Sequence, residues 1–294
     1  MALDTGKISL PRDVVTSVIG KVKDTSTIAA LSPNQPQKFT DLDYLVFNPT
    51  AEAEVIAEGA KKSAYESDLP PVNATRIKVV TTTRVSSELR WADEDSQLEI
   101  ISNIISDQTA AVGRALDYVV YHAINPKTGT TLSGYTSLVS GANIVTATSK
   151  AQDDVDNLTD AVIDYNINGF ATSRKFAAEL RKLRASGTGQ RLYPEIPLSL
   201  TVGQIDGIPA AASGTVDGRV AATATKVKAI LGDFSAIKWG MVRDITSELI
   251  EYGDPDNTGD DLKGANQVAY RTEAVLAYAI LDPKAFAVLK DASA

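Results

Sequence analysis

The chain of 294 residues contains no cysteine and a single histidine, His122. The absence of cysteine excludes disulfide bonds and thiolate metal sites. One histidine leaves few ways to build an acid–base site, and the sequence contains neither a GxSxG nucleophile elbow nor a GxxxxGK[ST] phosphate loop. We therefore predict no catalytic, cofactor-binding or metal-binding residues, and we expect a protein that is not an enzyme.

Aromatic residues are scarce, at 6% of the chain, and no apolar run is long enough to span a membrane. Residues 1–13 lack the charged and apolar segments of a secretion signal. The net charge is −8, so the chain lacks the basic excess with which nucleic-acid binders contact phosphates. This charge is compatible with a protein that encloses nucleic acid without adhering to it.

The most prominent pattern that is present is one long helix, predicted from Ser96 to Ala123. Its apolar residues recur at helical spacing, at Leu98, Ile101, Ile105, Val112, Leu116 and Val119. Ser96 and Glu99 have the spacing of a capping box, and Asn125 with Pro126 is expected to end the helix. At 1.5 Å per residue the helix would be about 40 Å long. We expect it to be a spine against which a sheet packs.

The part of the chain before this spine has few large apolar residues. Residues 1–47 are predicted to form an arm with two weak amphipathic pieces joined by a proline-rich connector. Residues 51–57 and 75–86 are predicted to be the two strands of a long ribbon, since the second segment alternates between two faces. An isolated ribbon is marginally stable in water. We therefore expect the arm and the ribbon to be stabilised by contacts with other copies of the chain.

The part after the spine predicts a small α/β lobe followed by long strands. Helices are predicted at residues 153–165 and 173–186, with Gly187 as the cap of the second, and NINGFATS between them predicts a strand. Further strands, which complete the sheet of the lobe or form a ribbon against the spine, are predicted at residues 198–202, 226–231, 241–252 and 268–280.

Two local features resemble functional sites weakly. His122 closes the spine helix, and we interpret it as contacting the last carbonyls of that helix. The acidic turn with Asp254, Asp256 and Gly259 resembles a calcium loop, but Ala265 stands where the bidentate glutamate belongs. We interpret this turn as solvated, with weak cation binding as the alternative.

Basic residues cluster in one part of this acidic chain, at Arg174, Arg181, Lys182, Arg184 and Arg191. One interpretation is a solvated helix face. The other is a docking surface for Asp153, Asp154 and Asp156 of a neighbouring copy. Opposite charges at different positions of one chain suit head-to-tail contacts that close a ring. The sequence leaves both interpretations open.

Short stretches in a fixed order carry a further signal: Ala53–Gly59, Val85–Leu89, Leu192–Pro194, Gly207–Pro209, Gly232–Phe234, Arg271 and Asp282–Phe286. Together with the order of arm, ribbon, spine helix, lobe and returning ribbon, they make about residues 50–290 resemble the major capsid protein of tailed bacteriophages with the Hong Kong 97 fold.

The resemblance implies an α+β fold of the Hong Kong 97 type. Its segments would be an N-terminal arm (1–47), an extended β-ribbon loop (48–88) and a peripheral domain with the spine helix (89–129). A small α/β axial domain (130–235) would follow, and then peripheral-domain β-ribbons with the C-terminal segment (236–294). It implies a structural protein whose copies form pentamers and hexamers of an icosahedral shell around double-stranded DNA. The virion capsid would be its location after assembly in the host bacterial cytoplasm, without a membrane, and portal, scaffolding or decoration proteins are candidate partners.

Two alternatives share this fold. One is an encapsulin-type nanocompartment that holds a protein cargo. The other is a capsid protein that forms Lys–Asn isopeptide cross-links, for which Lys61 or Lys62 would be the nucleophile. No asparagine and catalytic glutamate can be matched to the family's cross-linking pattern, so we expect non-covalent assembly. The arm begins near Met1, so we also expect no cleaved N-terminal scaffolding segment.

Overall fold

The computed structural model describes residues 25–33, 35, 43–46, 53–56, 58, 61–62, 70–96, 99–218 and 225–292. Within them the helices are α1 Thr27–Leu31, α2 Ser87–Ser96, α3 Ile100–His122, α4 Leu138–Gly141, α5 Ala151–Asp160 and α6 Arg174–Lys182. The strands are β1 Asp43–Leu45, β2 Pro71–Asn73, β3 Thr75–Ser86, β4 Asn143–Thr146, β5 Gly169–Thr172, β6 Gln204–Ile205, β7 Ile208–Ala212, β8 Val227–Gly232, β9 Ile237–Ile250, β10 Gln267–Ile280 and β11 Phe286–Lys290. The mixed α+β class is therefore confirmed.

The spine helix is confirmed as α3, but it begins at Ile100 and not at Ser96. Ser96 is the last residue of α2, and Glu99 has a left-handed backbone with φ 57°. The predicted capping box is therefore wrong. The Asp93 carboxylate in α2 accepts the N–H of Ile100 at 2.7 Å and that of Ile101 at 3.4 Å. Asp93 thus satisfies two of the amides that a helix start leaves unpaired.

The end of α3 also differs from the prediction. The helix ends at His122, and Ala123, in a left-handed conformation, donates its N–H to the Val119 carbonyl at 2.9 Å. The predicted stop at Asn125 and Pro126 lies beyond this cap. The 23 residues of α3 span about 35 Å. The second half of the helix is almost completely buried, so α3 runs from the surface into the core.

The long strands form a three-stranded antiparallel sheet in the order β3-β10-β9. β3 pairs with β10 along its whole length, from Thr75 opposite Tyr278 to Ser86 opposite Gln267. The predicted ribbon of residues 51–57 with 75–86 is therefore wrong for residues 53–56, which have no regular structure, while residues 51, 52 and 57 lie outside the described part of the chain. The strands predicted at 75–86, 241–252 and 268–280 themselves are confirmed as β3, β9 and β10.

The spine helix packs on this sheet, as expected. The side-chain amide of Gln108, which is buried, donates to the Thr83 hydroxyl at 2.8 Å and to the Tyr270 carbonyl at 2.9 Å. Its carbonyl oxygen accepts the Thr272 hydroxyl at 2.9 Å. Because each buried polar atom of this amide has a partner, α3 is fixed in register against both β3 and β10.

The α/β lobe is a six-stranded mixed sheet in the order β4-β11-β8-β5-β7-β6. The strands predicted in NINGFATS and at 226–231 are confirmed as β5 and β8. The strand predicted at 198–202 is wrong, since these residues form a turn and irregular chain, and β6 and β7 follow them. α5 and α6 share one apolar cluster on this sheet, with Leu158, Phe176 and Leu180 fully buried. The chain returns to this sheet near its end, because β11 pairs with β4 and β8.

Candidate assembly surfaces

A buried carboxylate, Asp117 in α3, holds three segments of the chain together. Its Oδ1 accepts the Ser26 hydroxyl at 2.5 Å and the Ile28 N–H at 3.2 Å. Its Oδ2 accepts the N–H and the hydroxyl of Thr27 at 2.8 and 2.9 Å, and also the hydroxyl of Thr215. We call these five residues the Asp117 clasp. The clasp attaches α1, within the predicted arm, to the spine and to the loop that follows β7.

Burial and hydrogen bonding act on the Asp117 charge in opposite directions. Complete burial raises the pKa of Asp117, because a charged carboxylate is disfavoured in a low-dielectric interior, while the donors from Ser26, Thr215 and α1 favour the charged form. The Tyr121 hydroxyl lies 2.8 Å from the Thr27 hydroxyl, and burial followed by the Asp117 charge raises the pKa of Tyr121 well above its ordinary value. The donors of the clasp are thus what makes the buried carboxylate tolerable.

The described parts of the arm and loop present apolar side chains to solvent. The Leu45 residue in β1 is 70% exposed, and Val55 is 100% exposed. Among the described strands β1 pairs with β2 alone, three residues against three, with Tyr44 opposite Val72. A short two-stranded ladder has little stability by itself. This part of the chain therefore offers apolar surface to a partner.

The predicted acidic partner surface is exposed only in part. Asp154 is completely buried and its Oδ1 accepts the Thr148 N–H at 2.6 Å, so the prediction that Asp154 docks a neighbouring copy is wrong. Asp153 and Asp156 are exposed on α5. Burial of one of three acidic residues follows from helical spacing, since Asp154 lies on the face that also carries Leu158.

The predicted basic residues lie in three places: Arg174 begins α6, Arg181 and Lys182 end it, and Arg184 and Arg191 lie on a hairpin that follows it. The helix ends at Lys182 with Leu183 as its cap, so the prediction of Gly187 as the cap is wrong. Residues 183–192 form the hairpin, in which Arg184 lies directly opposite Arg191. Gly187 serves the turn of this hairpin, where its φ is 91° and a side chain would be strained.

A protein-family model described as "Phage capsid family" matches residues 6–291. The chain belongs to the phage capsid family. A solved structure from Mycobacterium phage Ogopogo is 35% identical to this capsid chain, with a TM-score of 0.87, and the match covers 99% of this chain and 100% of that one. A structure from Gordonia phage Cozz is 30% identical, with a TM-score of 0.78 and coverage of 97% and 92%.

A more distant likeness extends to the capsid of an empty GTA particle, at 18% identity and a TM-score of 0.64, covering 97% of this chain and 96% of that one. At this identity the likeness concerns the fold alone. No curated protein matches the sequence of the capsid chain. None of the helices in the part that the structure describes is long and apolar enough to cross a bilayer.

In this capsid chain the acidic turn binds an arginine of its own sheet. Arg84 of β3, which is 6% exposed, donates its Nε–H to Asp256 at 2.7 Å and an Nη1–H to the Asp260 carbonyl at 2.9 Å, and Nη2 pairs with Asp254. Hydrogen bonding to Asp256 raises the pKa of Arg84, and the Gly259 N–H is the first cause that lowers the pKa of Asp254. The guanidinium thus occupies these carboxylates, and no group of three acidic or histidine side chains among the described residues is placed to hold a metal ion.

His122 contacts the lobe and not the last carbonyls of its own helix, which corrects the prediction. Its Nε2 lies 3.3 Å from the Thr215 carbonyl and 3.1 Å from the Val216 carbonyl, so the neutral ring donates its proton there. Burial lowers the pKa of His122 to about 4. Thr215 therefore contacts α3 twice, through Asp117 with its hydroxyl and through His122 with its carbonyl.

We predict that His122 makes the folded chain less stable as the pH is lowered from 7 to 5. Between an unfolded pKa of about 6.5 and the folded pKa of about 4, the unfolded chain binds a proton that the folded chain does not. The free energy of unfolding should therefore fall by about 2 kcal/mol between pH 7 and pH 5 through this group. The His122→Gln variant retains an N–H donor without titrating, and urea unfolding at both pH values should show this extra loss in the wild type alone. Equal losses in both proteins would contradict the prediction.

Proposed function

We propose that this chain is a major capsid protein whose copies assemble into the pentamers and hexamers of an icosahedral shell enclosing double-stranded DNA. The observation that carries the proposal is the match over 99% of the chain, at 35% identity, to a structure from a mycobacterial phage. The exposed Leu45 and Val55 are compatible with it, because contacts between copies would remove these apolar side chains from water. The virion capsid, assembled in the host cytoplasm, is the proposed location.

The segments of the chain take the places that the Hong Kong 97 fold gives them in this proposal. Residues 1–47 and 48–88 supply the arm and the extended loop, and their parts outside α1 and β3 lie across neighbouring copies. Residues 89–129 and 236–294 supply the peripheral domain, with β3 joined to its sheet, although β11 returns to the sheet of the lobe. Residues 130–235 supply the axial domain around which copies meet. The buried Ile28 of α1 supports an arm that is anchored on its own chain before it extends outward.

The net charge of the chain and the lysines of its loop bear on what the shell encloses and on how its copies are joined. A net charge of −8 per chain repels packaged DNA from the shell wall. Lys61 and Lys62 are exposed, but no asparagine and catalytic glutamate of this sequence can be matched to the family's cross-linking pattern. Assembly is therefore proposed to be non-covalent, with portal, scaffolding or decoration proteins as further partners.

Electron microscopy of the purified protein, with sedimentation and nucleic-acid analysis, tests the proposal. We expect closed particles that protect DNA from nuclease when they are isolated from infected cells. Particles filled with a protein cargo would instead identify an encapsulin-type compartment. Covalent ladders on a denaturing gel would contradict non-covalent assembly, and a chain that stays monomeric at every concentration would contradict a shell protein.

We predict that deletion of residues 60–73 leaves a soluble, folded chain that forms no particles. The deletion removes β2 and with it the ladder to β1, so the arm and the loop lose their described connection. Circular dichroism should show retained structure, while sedimentation and electron microscopy should show no shells. Alanine substitution of both Lys61 and Lys62 is the control, and it should assemble normally because it removes charge without shortening the loop. Normal shells from the deletion would remove the role assigned to this segment.

A further inference from the structure

One face of α5 and the turn after it carries an unusual row of carboxylates. Asp153, Asp156, Asp160 and Asp164 recur at intervals of three or four residues, and all four are exposed. Like charges at this spacing repel one another. Lys150 lies near the row, at 3.6 Å from Asp153, and it is itself exposed. We call these four residues the acidic face.

Two further carboxylates lie on either side of β6, where the Asp206 N–H donates to Glu195 Oε1 at 3.0 Å. The pKa of the Tyr193 phenol is raised by burial first, and then by the charges of Asp206, Asp156 and Glu195. Three carboxylates from separate parts of the lobe therefore act on one side chain. A surface with this concentration of negative charge favours a cationic partner.

The hairpin of residues 183–192 presents the opposite charge. The bonds from Leu192 N–H to the Leu183 carbonyl, at 3.2 Å, and from Ala185 N–H to the Gln190 carbonyl, at 2.8 Å, flank the pair Arg184 and Arg191. In this arrangement the two arginines form a non-hydrogen-bonded pair, with Cα atoms about 4.5 Å apart and side chains on the same face. Like charges directly opposite each other destabilise a ladder unless an anion lies between them.

The two arginines are exposed and in part pre-positioned. Arg184 Nη1 donates to the carbonyls of Arg181 at 3.1 Å and of Leu183 at 3.2 Å, at the end of α6. These bonds hold the guanidinium at the base of the hairpin. No ion pair within the described residues joins Arg184 or Arg191 to a carboxylate, so the hairpin of one copy does not neutralise the acidic face of the same copy.

We infer that the hairpin of one copy binds the acidic face of the next copy around a ring, which rests on the proposed assembly into pentamers and hexamers. The two surfaces are complementary in charge and lie at different positions of one chain, which gives a head-to-tail contact that can close. Double-stranded DNA is the other polyanion that two arginines could bind. The copy is favoured because the lobe carries the acidic face, whereas DNA would have to approach a surface crowded with carboxylates.

Charge exchange tests the inference. We expect two double variants each to lower the yield of particles about tenfold or more, because like charges then face each other. One carries Arg184→Glu and Arg191→Glu, and the other carries Asp156→Lys and Asp160→Lys. The quadruple variant that carries all four substitutions should restore assembly. A quadruple variant that does not assemble, or a normal yield of particles from either double variant, would overturn the inference. Normal particles with less DNA from the arginine pair would identify DNA as the partner and would equally overturn it.

Disulfide trapping provides a second readout that does not depend on yield. The chain has no cysteine, so Thr188→Cys in the hairpin and Asn157→Cys on α5 introduce the only thiols. Oxidised particles of this double variant should give covalent oligomers, whereas Thr188→Cys with Thr246→Cys on β9 should not. Particles without these oligomers would overturn the inference and leave the shell function intact, while a wild type that never assembles would contradict the shell function itself.

Discussion

The variant Asp117→Ala should lose about 3–5 kcal/mol of unfolding free energy, because it leaves several buried donors unpaired and each such donor costs about 1–3 kcal/mol. The substitution leaves the N–H groups of Thr27 and Ile28 without an acceptor in the core. It also leaves a space where the carboxylate lay. Because the clasp joins α1 and the Thr215 loop to α3, both segments should open before the sheets do.

The variant Asp117→Asn separates geometry from chemistry. Whichever way the amide turns, its NH₂ group replaces one acceptor oxygen. On the Oδ1 side it would face the Ile28 N–H, and on the Oδ2 side the Thr27 N–H. The hydroxyls of the clasp can rotate, but these backbone donors cannot, so one amide stays unpaired at a cost of about 1–3 kcal/mol.

Urea unfolding of the unassembled chain and hydrogen exchange at Thr27 and Ile28 provide the measurements. Asp107 is the matched control, since it lies on the same helix and is exposed. Asp107→Ala should change stability by less than about 0.5 kcal/mol. An Asp117→Ala variant as stable as the control, or with unchanged protection of the α1 amides, would show that the clasp does not hold α1.

The elements that local patterns could predict are those that pack against a neighbouring layer on one face. β10 alternates regularly because one side packs on α3, and its predicted extent of 268–280 differs from the observed strand by one residue. The spine was predictable for the same reason, through Ile101 and Ile105. Where the chain is buried on all sides, as at Tyr118 and Tyr121, periodicity carries less information.

The pairing of distant segments was not predictable from such patterns. β3 was assigned to the nearest strand-like segment along the chain, but its partner β10 lies about 190 residues away, with Thr75 opposite Tyr278. Alternation specifies which face of a strand is buried and does not specify which strand lies beside it. The break between α2 and α3 was missed because the Asp93 cap acts across seven residues, outside the spacing of a capping box.

The residues that hold the candidate surfaces in place were missed for a related reason. Asp117 lies in the sequence LDYVVY, and a lone aspartate in an apolar run is the available signal, since burial of a charge requires partners. Its donors include the hydroxyls of Ser26, 91 residues before it, and of Thr215, 98 residues after it. The family could be identified from the order of short motifs, whereas no single residue indicated a function.

Replacement of Arg84 by methionine should release the turn between β9 and β10. Arg84 is nearly buried between Asp254, Asp256 and the Asp260 carbonyl, and methionine preserves the bulk of the stem while it removes every donor. The hydrogen bonds between the guanidinium and the turn would be lost, at a cost on the order of 2–3 kcal/mol for bonds to charged groups. The Arg84→Lys variant should be intermediate, because a lysine ammonium keeps the charge without the planar fork that reaches three acceptors.

Limited trypsin digestion measures this release directly, because Lys263 lies exposed in the same turn. Cleavage after Lys263, followed by mass spectrometry, should become faster in Arg84→Met, while urea unfolding should report the loss in stability. Arg243→Met is the control, since Arg243 is an exposed arginine on β9 that pairs with Glu273 at 3.4 Å. Exposed pairs contribute about 0–1 kcal/mol, so the control should digest like the wild type. Equal digestion of the two variants would mean that the turn is held without Arg84, through the Arg271 contact with the Pro255 carbonyl.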